Sequence, residues 1–475
     1  MVEYSKQNRH IGSILIGDRN FYRRVLLVAV PIMIQNGITN VVSMLDNIMV
    51  GQIGTEPMSG VAIVNQFMFV FFICLIGATA GAGIMGAQYY GSGNNDGVRN
   101  AFRFKLLSCL AITAVCMIVL MAFGDSLISA FLHEGEGGGD LAETLRYGKQ
   151  YMKVMYIGMV PFALTQAYSS TLRETGQTVV PMTAGITAVC VNLFFNYVLI
   201  FGKFGAPALG VVGAAAATAI SRFVELALVA GWTHKNASKN PFIAGVYSSM
   251  KIPKNVSSKI MKVGTPLLIN EVLWALGVSV LAQCYSVRGL DVVAAVNISN
   301  TLSNVFNVVF LSMGNATGII IGQILGAGEL KRARDEDTKL IAFSVFCCII
   351  TGLLMFSLAS LFPQIYNTSQ AVQTLASSFI RIVGLCMPIY GFVNAAYFTL
   401  RSGGKTIITF LFDSGFMWVF AIPIVFCLSR FTALPIVPVY LISQLTDFVK
   451  CIIGFVLVKR GSWLSNMAAE ERKRD

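Results

Sequence analysis

Residues 31–51 read PIMIQNGITNVVSMLDNIMVG, an apolar run opened by a proline and interrupted near its end by the carboxylate of Asp46. A helix rises 1.5 Å per residue, so a stretch of this length covers the roughly 30 Å of a bilayer's hydrocarbon core. The run has a second copy: PLLINEVLWALG begins at Pro266, and the same spacing pairs Val61 with Val296, Phe71 with Phe306, Gly83 with Gly318, Gln88 with Gln323, Gly91 with Gly326, Gly93 with Gly328 and Arg99 with Arg334. Further on, TLRETGQT (171–178) matches TLRSGGKT (399–406). The chain is therefore read as two copies of one unit.

Composition says what kind of unit. Of 475 residues, 55% are hydrophobic and 12% charged, with a mean hydropathy of +0.69, too apolar for a soluble globular surface. Apolar windows of membrane-crossing length recur at about 25–49, 58–85, 101–123, 150–171, 179–201, 209–231, 259–285, 291–320, 338–361, 374–400, 406–428 and 434–458. Continuous runs of this kind exclude a β-barrel, whose strands alternate. The expected fold is an all-α integral membrane protein of twelve transmembrane helices in two pseudo-symmetric six-helix bundles. The expected organisation is a cytoplasmic N-terminus (1–24), a first lobe (25–231), a cytoplasmic linker (232–258), a second lobe (259–458) and a cytoplasmic tail (459–475). An even number of helices per unit makes the repeats parallel, an arrangement that secondary transporters use to rock one half against the other.

The net charge of +12 raises the question of nucleic acid, which its distribution answers. With the N-terminus in the cytoplasm, most Lys and Arg fall in cytoplasmic segments: Lys6, Arg9, Arg19, Arg23 and Arg24; Arg99, Arg103 and Lys105; Arg173; Lys235, Lys239, Lys251, Lys254, Lys259 and Lys262; Lys331, Arg332, Arg334 and Lys339; Arg401 and Lys405; and Lys459, Arg460, Arg472, Lys473 and Arg474. The outer segments and helix ends hold Arg146, Lys149, Lys153, Lys203, Arg288, Arg381 and Arg430. The positive-inside rule then places both termini in the cytoplasm and explains the charge as topology, with no nucleic-acid partner. The polar, basic first twenty-four residues carry no signal-peptide pattern. Ten scattered cysteines read as small buried hydrophobes, with no metal site expected. His10, His133 and His234 all lie outside the apolar spans and no nucleophile–base pair stands out, so no enzyme and no catalytic residue are expected. YYGSGN and LGAGE follow no strand and lack a phosphate-loop lysine, which argues against nucleotide binding.

The proline early in helix one followed by D-x-x-x-V-G (Asp46 to Gly51), the GAQYYGSGN after helix two, the N-x-x-x-N-Y-x-L-I-F-G of helix five (Asn192 to Gly202) and the L-R-x-G-G-x-T after helix ten resemble the MATE family, the multidrug and toxic compound extrusion transporters, over about residues 20–460. The resemblance, to the bacterial type within the wider flippase superfamily, implies two lobes around a cavity in a bacterial inner membrane. It further implies export of small organic, often cationic, compounds in exchange for protons or sodium, by a monomer surrounded by membrane lipid and without a cofactor.

A charged group at membrane depth costs about 3 kcal/mol or more, so such groups are functional candidates. Asp46 lies some twenty-one residues into helix one; Asn192 and Asn196 share a face of helix five at similar depth. By the resemblance, Asp46, Asn192, Asn196 and, less directly, Thr218 on helix six form the proton or sodium site. Asn196 stands where some members have an acid, which leaves Asp46 the one carboxylate and the choice of ion open. The other reading of Asp46 is a solvated acid near a helix end. Its repeat partner is Leu281, so the shared architecture does not require an acid there. In the second half, Glu271, Asp413 and Asp447 form an anionic pocket for a cationic substrate or second ion if they converge. Asn394 sits in helix ten where sodium-coupled members carry an acid, which favours the proton. Trp274, Tyr397 and Trp418 either stack on a cationic aromatic compound or pack. Asp447 with Lys450, and Arg222 with Glu225, read as functional or as structural ion pairs. Two rival functions stand beside export: a lipid or lipid-linked oligosaccharide flippase, which needs several unpaired cations within the spans, and a non-transporting receptor or channel.

Overall fold

The computed structural model describes residues 15–131 and 140–472; His10 and His133, with Lys6, Arg9, Lys473, Arg474 and the side chain of Arg472, lie outside the described residues. Twelve long helices follow one another, each at least as long as the apolar window that announced it. They are α1 (Arg19–Gly51), α2 (Thr55–Gly91), α3 (Asn95–Phe131), α4 (Leu141–Glu174), α5 (Val179–Phe201), α6 (Val211–Lys235), α7 (Lys254–Ser286), α8 (Leu290–Gly326), α9 (Leu330–Leu358), α10 (Gln370–Ser402), α11 (Thr406–Phe431) and α12 (Ile436–Arg460), with a short α13 (Met467–Arg472) behind. Eleven of the twelve are apolar enough to cross a membrane by composition; α4 falls short. Its Tyr151 and Thr171 are buried against protein, where polar groups find partners that lipid does not offer. No strand occurs among the described residues.

The repeat is visible in the helix-breaking residues. Pro31 and Pro266 sit inside α1 and α7, and Pro161 and Pro388 inside α4 and α10. Each removes an intrahelical hydrogen bond, a loss that helices in a bundle tolerate where neighbours repair it. The starts of α4 and α10 are both capped: Asp140 accepts from the amides of Ala142 (2.9 Å) and Glu143 (3.1 Å), and Ser369 from that of Val372 (3.3 Å). α5 ends on Gly202 with φ +66°, a left-handed conformation that glycine adopts without strain.

Packing sorts the helices into two compact units that are not contiguous in sequence. One comprises Ile34–Gly86 and Asn94–Glu271; the other comprises the described residues up to Met33, Ala87–Gly93 and the described residues from Val272 on. α1 and α7 thus each pass from one unit to the other, a few residues beyond their prolines. In the second unit Val25, Val28, Ala29 and Ile32 of α1 join a core with Met313, Ala316, Ile320 and Leu325 of α8. The end of α2 belongs to the same unit and meets α8 reciprocally. A Cβ on Gly91 would lie 1.9 Å from the carbonyl oxygen of Gln323, and one on Gly326 would lie 2.0 Å from that of Gln88. These four residues are two repeat-related pairs, and the glycines are there because the backbones touch.

The segment between the lobes is tied to the first of them. It contains one short 3-10 turn, Pro241–Ile243, and its carbonyls are held by α3: Arg99 Nε donates to Phe242 O (3.2 Å), and Arg103 donates through Nε to Val246 O (2.9 Å) and through Nη2 to Gly245 O (2.8 Å). All ten cysteines are unpaired.

Candidate functional site

In the first unit, α1, α5 and α6 bring Asp46, Asn192, Asn196 and Thr218 together. Asn196 Nδ2 donates to Asp46 Oδ1 at 2.6 Å and lies 3.1 Å from Asn192 Oδ1. Asn192 and Asn196 are buried, being one turn apart on the inner face of α5, while Asp46 is half-buried. Thr218 Oγ1 donates to Ala214 O (3.1 Å) and faces the Asn192 amide at 3.3 Å. Two residues that the sequence did not single out complete the surroundings. Tyr151 of α4 donates to Asn65 Oδ1 of α2 at 3.3 Å. Asn65 and Tyr151 are polar interruptions in apolar segments, the one signal that marked them. Arg222, one turn after Thr218, is close enough for its charge to act on Asp46; it pairs with Glu225 at 3.2 Å and lies over the Phe162 ring at 4.5 Å.

The Asn192 amide fits this cage in two orientations. With Nδ2 towards Asp46 it donates to both carboxylate oxygens (2.9 and 3.2 Å), and its oxygen takes the Thr218 side; this suits an ionised Asp46. With Oδ1 towards Asp46 it accepts from Asn196, and its Nδ2 turns to Thr218; an oxygen placed so near Asp46 is favourable when the acid carries the proton and donates it. Asn196 Oδ1 is buried without a partner. The arrangement can hold or release one proton at Asp46 with a compensating turn of one amide.

Asp413 and Asp447 meet at Lys450, whose Nζ is 3.1 Å from Asp413 Oδ1 and 3.7 Å from Asp447 Oδ1, with the Phe416 ring 5.6 Å away. Lys450 is buried, so these two acids converge on a cation of the chain itself. Two π-helical turns of α11, Leu411–Gly415 and Met417–Ala421, shape the path that carries Asp413 there. Glu271 packs in the other unit. Trp418 Nε1 donates to Leu273 O at 3.0 Å, next to a partly exposed Trp274; Tyr397 is buried, and Asn394 Oδ1 is a buried acceptor facing Gly314 without a partner.

One more charged pair escaped the sequence reading. Lys105 of α3, fully buried, donates to Glu174 Oε2 (2.5 Å) and Thr171 Oγ1 (3.0 Å) of α4. Its place ten residues into α3 made it look like one more cytoplasmic lysine. A Cβ on Gly83 or Gly86 would come within 2.8 or 2.5 Å of the Glu174 carboxylate, so those glycines make its room.

The sequence profile of the MatE family matches residues 31–198 and 266–427, the two halves of the internal repeat. Probable multidrug resistance protein NorM of Thermotoga maritima is 24% identical over 444 residues, covering 93% of this chain and 93% of its own length. The protein of the same name from Halalkalibacterium halodurans is 26% identical over 445 residues, 90% of this chain and 92% of its own. A solved MOP superfamily transporter from Pyrococcus furiosus shares the fold with a TM-score of 0.84 at 18% identity, over 95% of this chain and 98% of that one. A multidrug resistance MATE family transporter in an outward-facing conformation gives 0.82 at 19%, with 95% and 98% covered.

Proposed function

We propose that this chain, which belongs to the MatE family, exports small organic compounds, cationic or amphipathic, across the membrane by alternating access in exchange for protons taken up at Asp46. It is a multi-pass membrane protein with the twelve-helix, two-lobe fold of MATE transporters. Export of drugs is supported by the relatives described as probable multidrug resistance proteins, which match this chain over nearly its whole length. A bacterial inner membrane with both termini in the cytoplasm, and action as a monomer, belong to the same proposal.

The observation that carries the choice of ion is the pair of amides beside Asp46, one donating to it and one able to turn. A sodium ion needs oxygen ligands on every side, whereas Asn196 Nδ2 already points its hydrogen at Asp46 Oδ1 from 2.6 Å. A proton needs one oxygen and one acceptor, and the turned Asn192 supplies the acceptor. Uptake of a proton removes the charge that Asn196 and Arg222 attract, loosening α1 from α5 and α6; a ligand shifts such an equilibrium by its differential affinity for the two states. The flippase reading is weakened by the cations within the spans, since Arg222, Lys450 and Lys105 are each paired with a carboxylate.

The test is ethidium efflux from vesicles reconstituted with the full chain. An imposed proton gradient drives efflux and a sodium gradient alone does not; Asp46→Asn, folded and inserted at wild-type level, abolishes the proton-driven component. Undiminished proton-driven efflux by Asp46→Asn overturns the assignment of Asp46, and efflux on sodium alone overturns the choice of ion.

A further inference from the structure

We infer that Asp337, on α9, is a neutral carboxylic acid that donates its proton to Thr399 of α10, and so is a second proton-binding site that closes the α9–α10 contact.

The argument is a count of hydrogens. Thr399 Oγ1 lies 2.5 Å from Asp337 Oδ1 and 3.0 Å from Ala395 O. A threonine hydroxyl has one hydrogen, a carbonyl has none, and an ionised carboxylate has none. Both contacts are hydrogen bonds only if Thr399 gives its hydrogen to Ala395 O and receives another from Asp337. Asp337 must then be protonated.

The first repeat shows the same hydroxyl in the same role. Thr171 and Ala167 correspond to Thr399 and Ala395. Thr171 Oγ1 donates to Ala167 O at 2.9 Å and accepts from Lys105 Nζ at 3.0 Å. There the partner from the preceding helix is an ammonium, a group that can only donate. In the second repeat Leu340 replaces that lysine, and Asp337, one turn earlier, reaches the hydroxyl instead.

The surroundings of Asp337 favour the neutral form. The side chain is 1% exposed, its Oδ2 is buried without a hydrogen-bond partner, and no ion pair reaches it among the described residues. The neighbouring acid on its own helix, Glu336, is bonded to Arg24 and Arg332, and from α10 it is Thr399 that meets Asp337. A carboxylate taken out of water with no cation beside it is costly, whereas a carboxylic acid with an acceptor is not. Parting α9 from α10 would admit water and release the proton. The first lobe closes the corresponding contact with an ion pair that needs no proton.

The experiment compares full-length protein in detergent with Asp337→Asn and Thr399→Val. At neutral pH, the infrared carbonyl stretch of protonated carboxylic acids in the wild type contains a band that Asp337→Asn removes and that Thr399→Val shifts to higher frequency. An asparagine amide donates to Thr399 as the acid does, so the variant melts at or above the wild-type temperature, and its advantage grows as the pH rises, because unfolding the wild type releases a proton. A wild-type spectrum without that band, or an Asp337→Asn variant less stable by the same amount at every pH, overturns the inference. Because neither readout involves transport, it fails or stands apart from the proposed export activity.

Discussion

Removing the carboxylate of Glu174 isolates Lys105, and the structure sets the size of the penalty. Lys105 is fully buried and its ammonium has two acceptors, Glu174 Oε2 at 2.5 Å and Thr171 Oγ1 at 3.0 Å. In Glu174→Ala the charge keeps one neutral oxygen. At an effective dielectric of about 20, the lost attraction at this separation is roughly 6–7 kcal/mol. The cost cannot exceed what it takes to discharge the lysine, about 5 kcal/mol at pH 7, and removal of one member of a buried pair usually costs about 3–5 kcal/mol. With an unfolding entropy near 2.1 cal/mol/K per residue, that range corresponds to a fall in melting temperature of about 3–5 °C for a chain of this length. Unfolding in detergent, followed by a thiol-reactive fluorophore through the buried Cys109, Cys348 and Cys386, reads it directly. The decisive comparison is Lys105→Met with Glu174→Met together, which removes both charges and should recover most of the loss. If the double variant is as unstable as Glu174→Ala alone, the penalty is lost packing and not a stranded charge, and the reasoning fails.

Other outcomes follow from the same contacts. Gly326→Ala drives a Cβ to 2.0 Å from Gln88 O and should cost at least about 1–3 kcal/mol by overpacking, seen as a lower melting temperature. Lys450→Met leaves Asp413 and Asp447 facing each other and should destabilise by about 3–5 kcal/mol, with Asp413→Asn in the same chain restoring much of it. Trp418→Phe gives up one hydrogen bond to Leu273 O and should lower stability by about 1 kcal/mol without changing dye efflux; a large loss of efflux would point to a substrate contact. Asn192→Leu removes the amide that follows the charge of Asp46 and should depress proton-driven efflux in vesicles far more than it depresses melting temperature.

Helix number and the duplication were legible because lipid imposes a length and a composition, and because Pro31 and Pro266 head two alignable runs. Asn192 and Asn196 were legible as a pair because a helix puts residues four apart on one face. What sequence spacing could not reach was contact between distant elements. Tyr151 and Lys105 each meet partners some seventy to ninety residues away, and nothing local distinguishes a buried lysine near a helix start from a solvated one. The paths of α1 and α7 between units were hidden for a similar reason: six-helix halves are contiguous in sequence, whereas packing continues through the prolines. Sequence spacing pairs Lys450 with Asp447, its neighbour at i+3, and says nothing of Asp413. The π-helical turns of α11 lead Asp413 to the same ammonium from another helix.

Duplication explains the frame, and its failures locate the chemistry. Where the two copies agree, as at Gly91 with Gly326 and Gln88 with Gln323, the residues serve backbone contact and are used reciprocally. At four ionisable positions the counterpart is not ionisable: Asp46 corresponds to Leu281, Lys105 to Leu340, Glu174 to Ser402, and Asp337 to Phe102. Two identical acids in two identical surroundings would bind and lose their ions together, giving both lobes one response to one gradient. Unlike groups separate those responses. The first lobe has a half-buried carboxylate beside two amides, and an ion pair that joins α3 to α4. The second has two carboxylates meeting at the ammonium of Lys450, and an enclosed acid between α9 and α10. On the proposed mechanism, a proton taken up at Asp46 would bias one lobe by its differential affinity for two states while the unlike groups of the other lobe keep their charges.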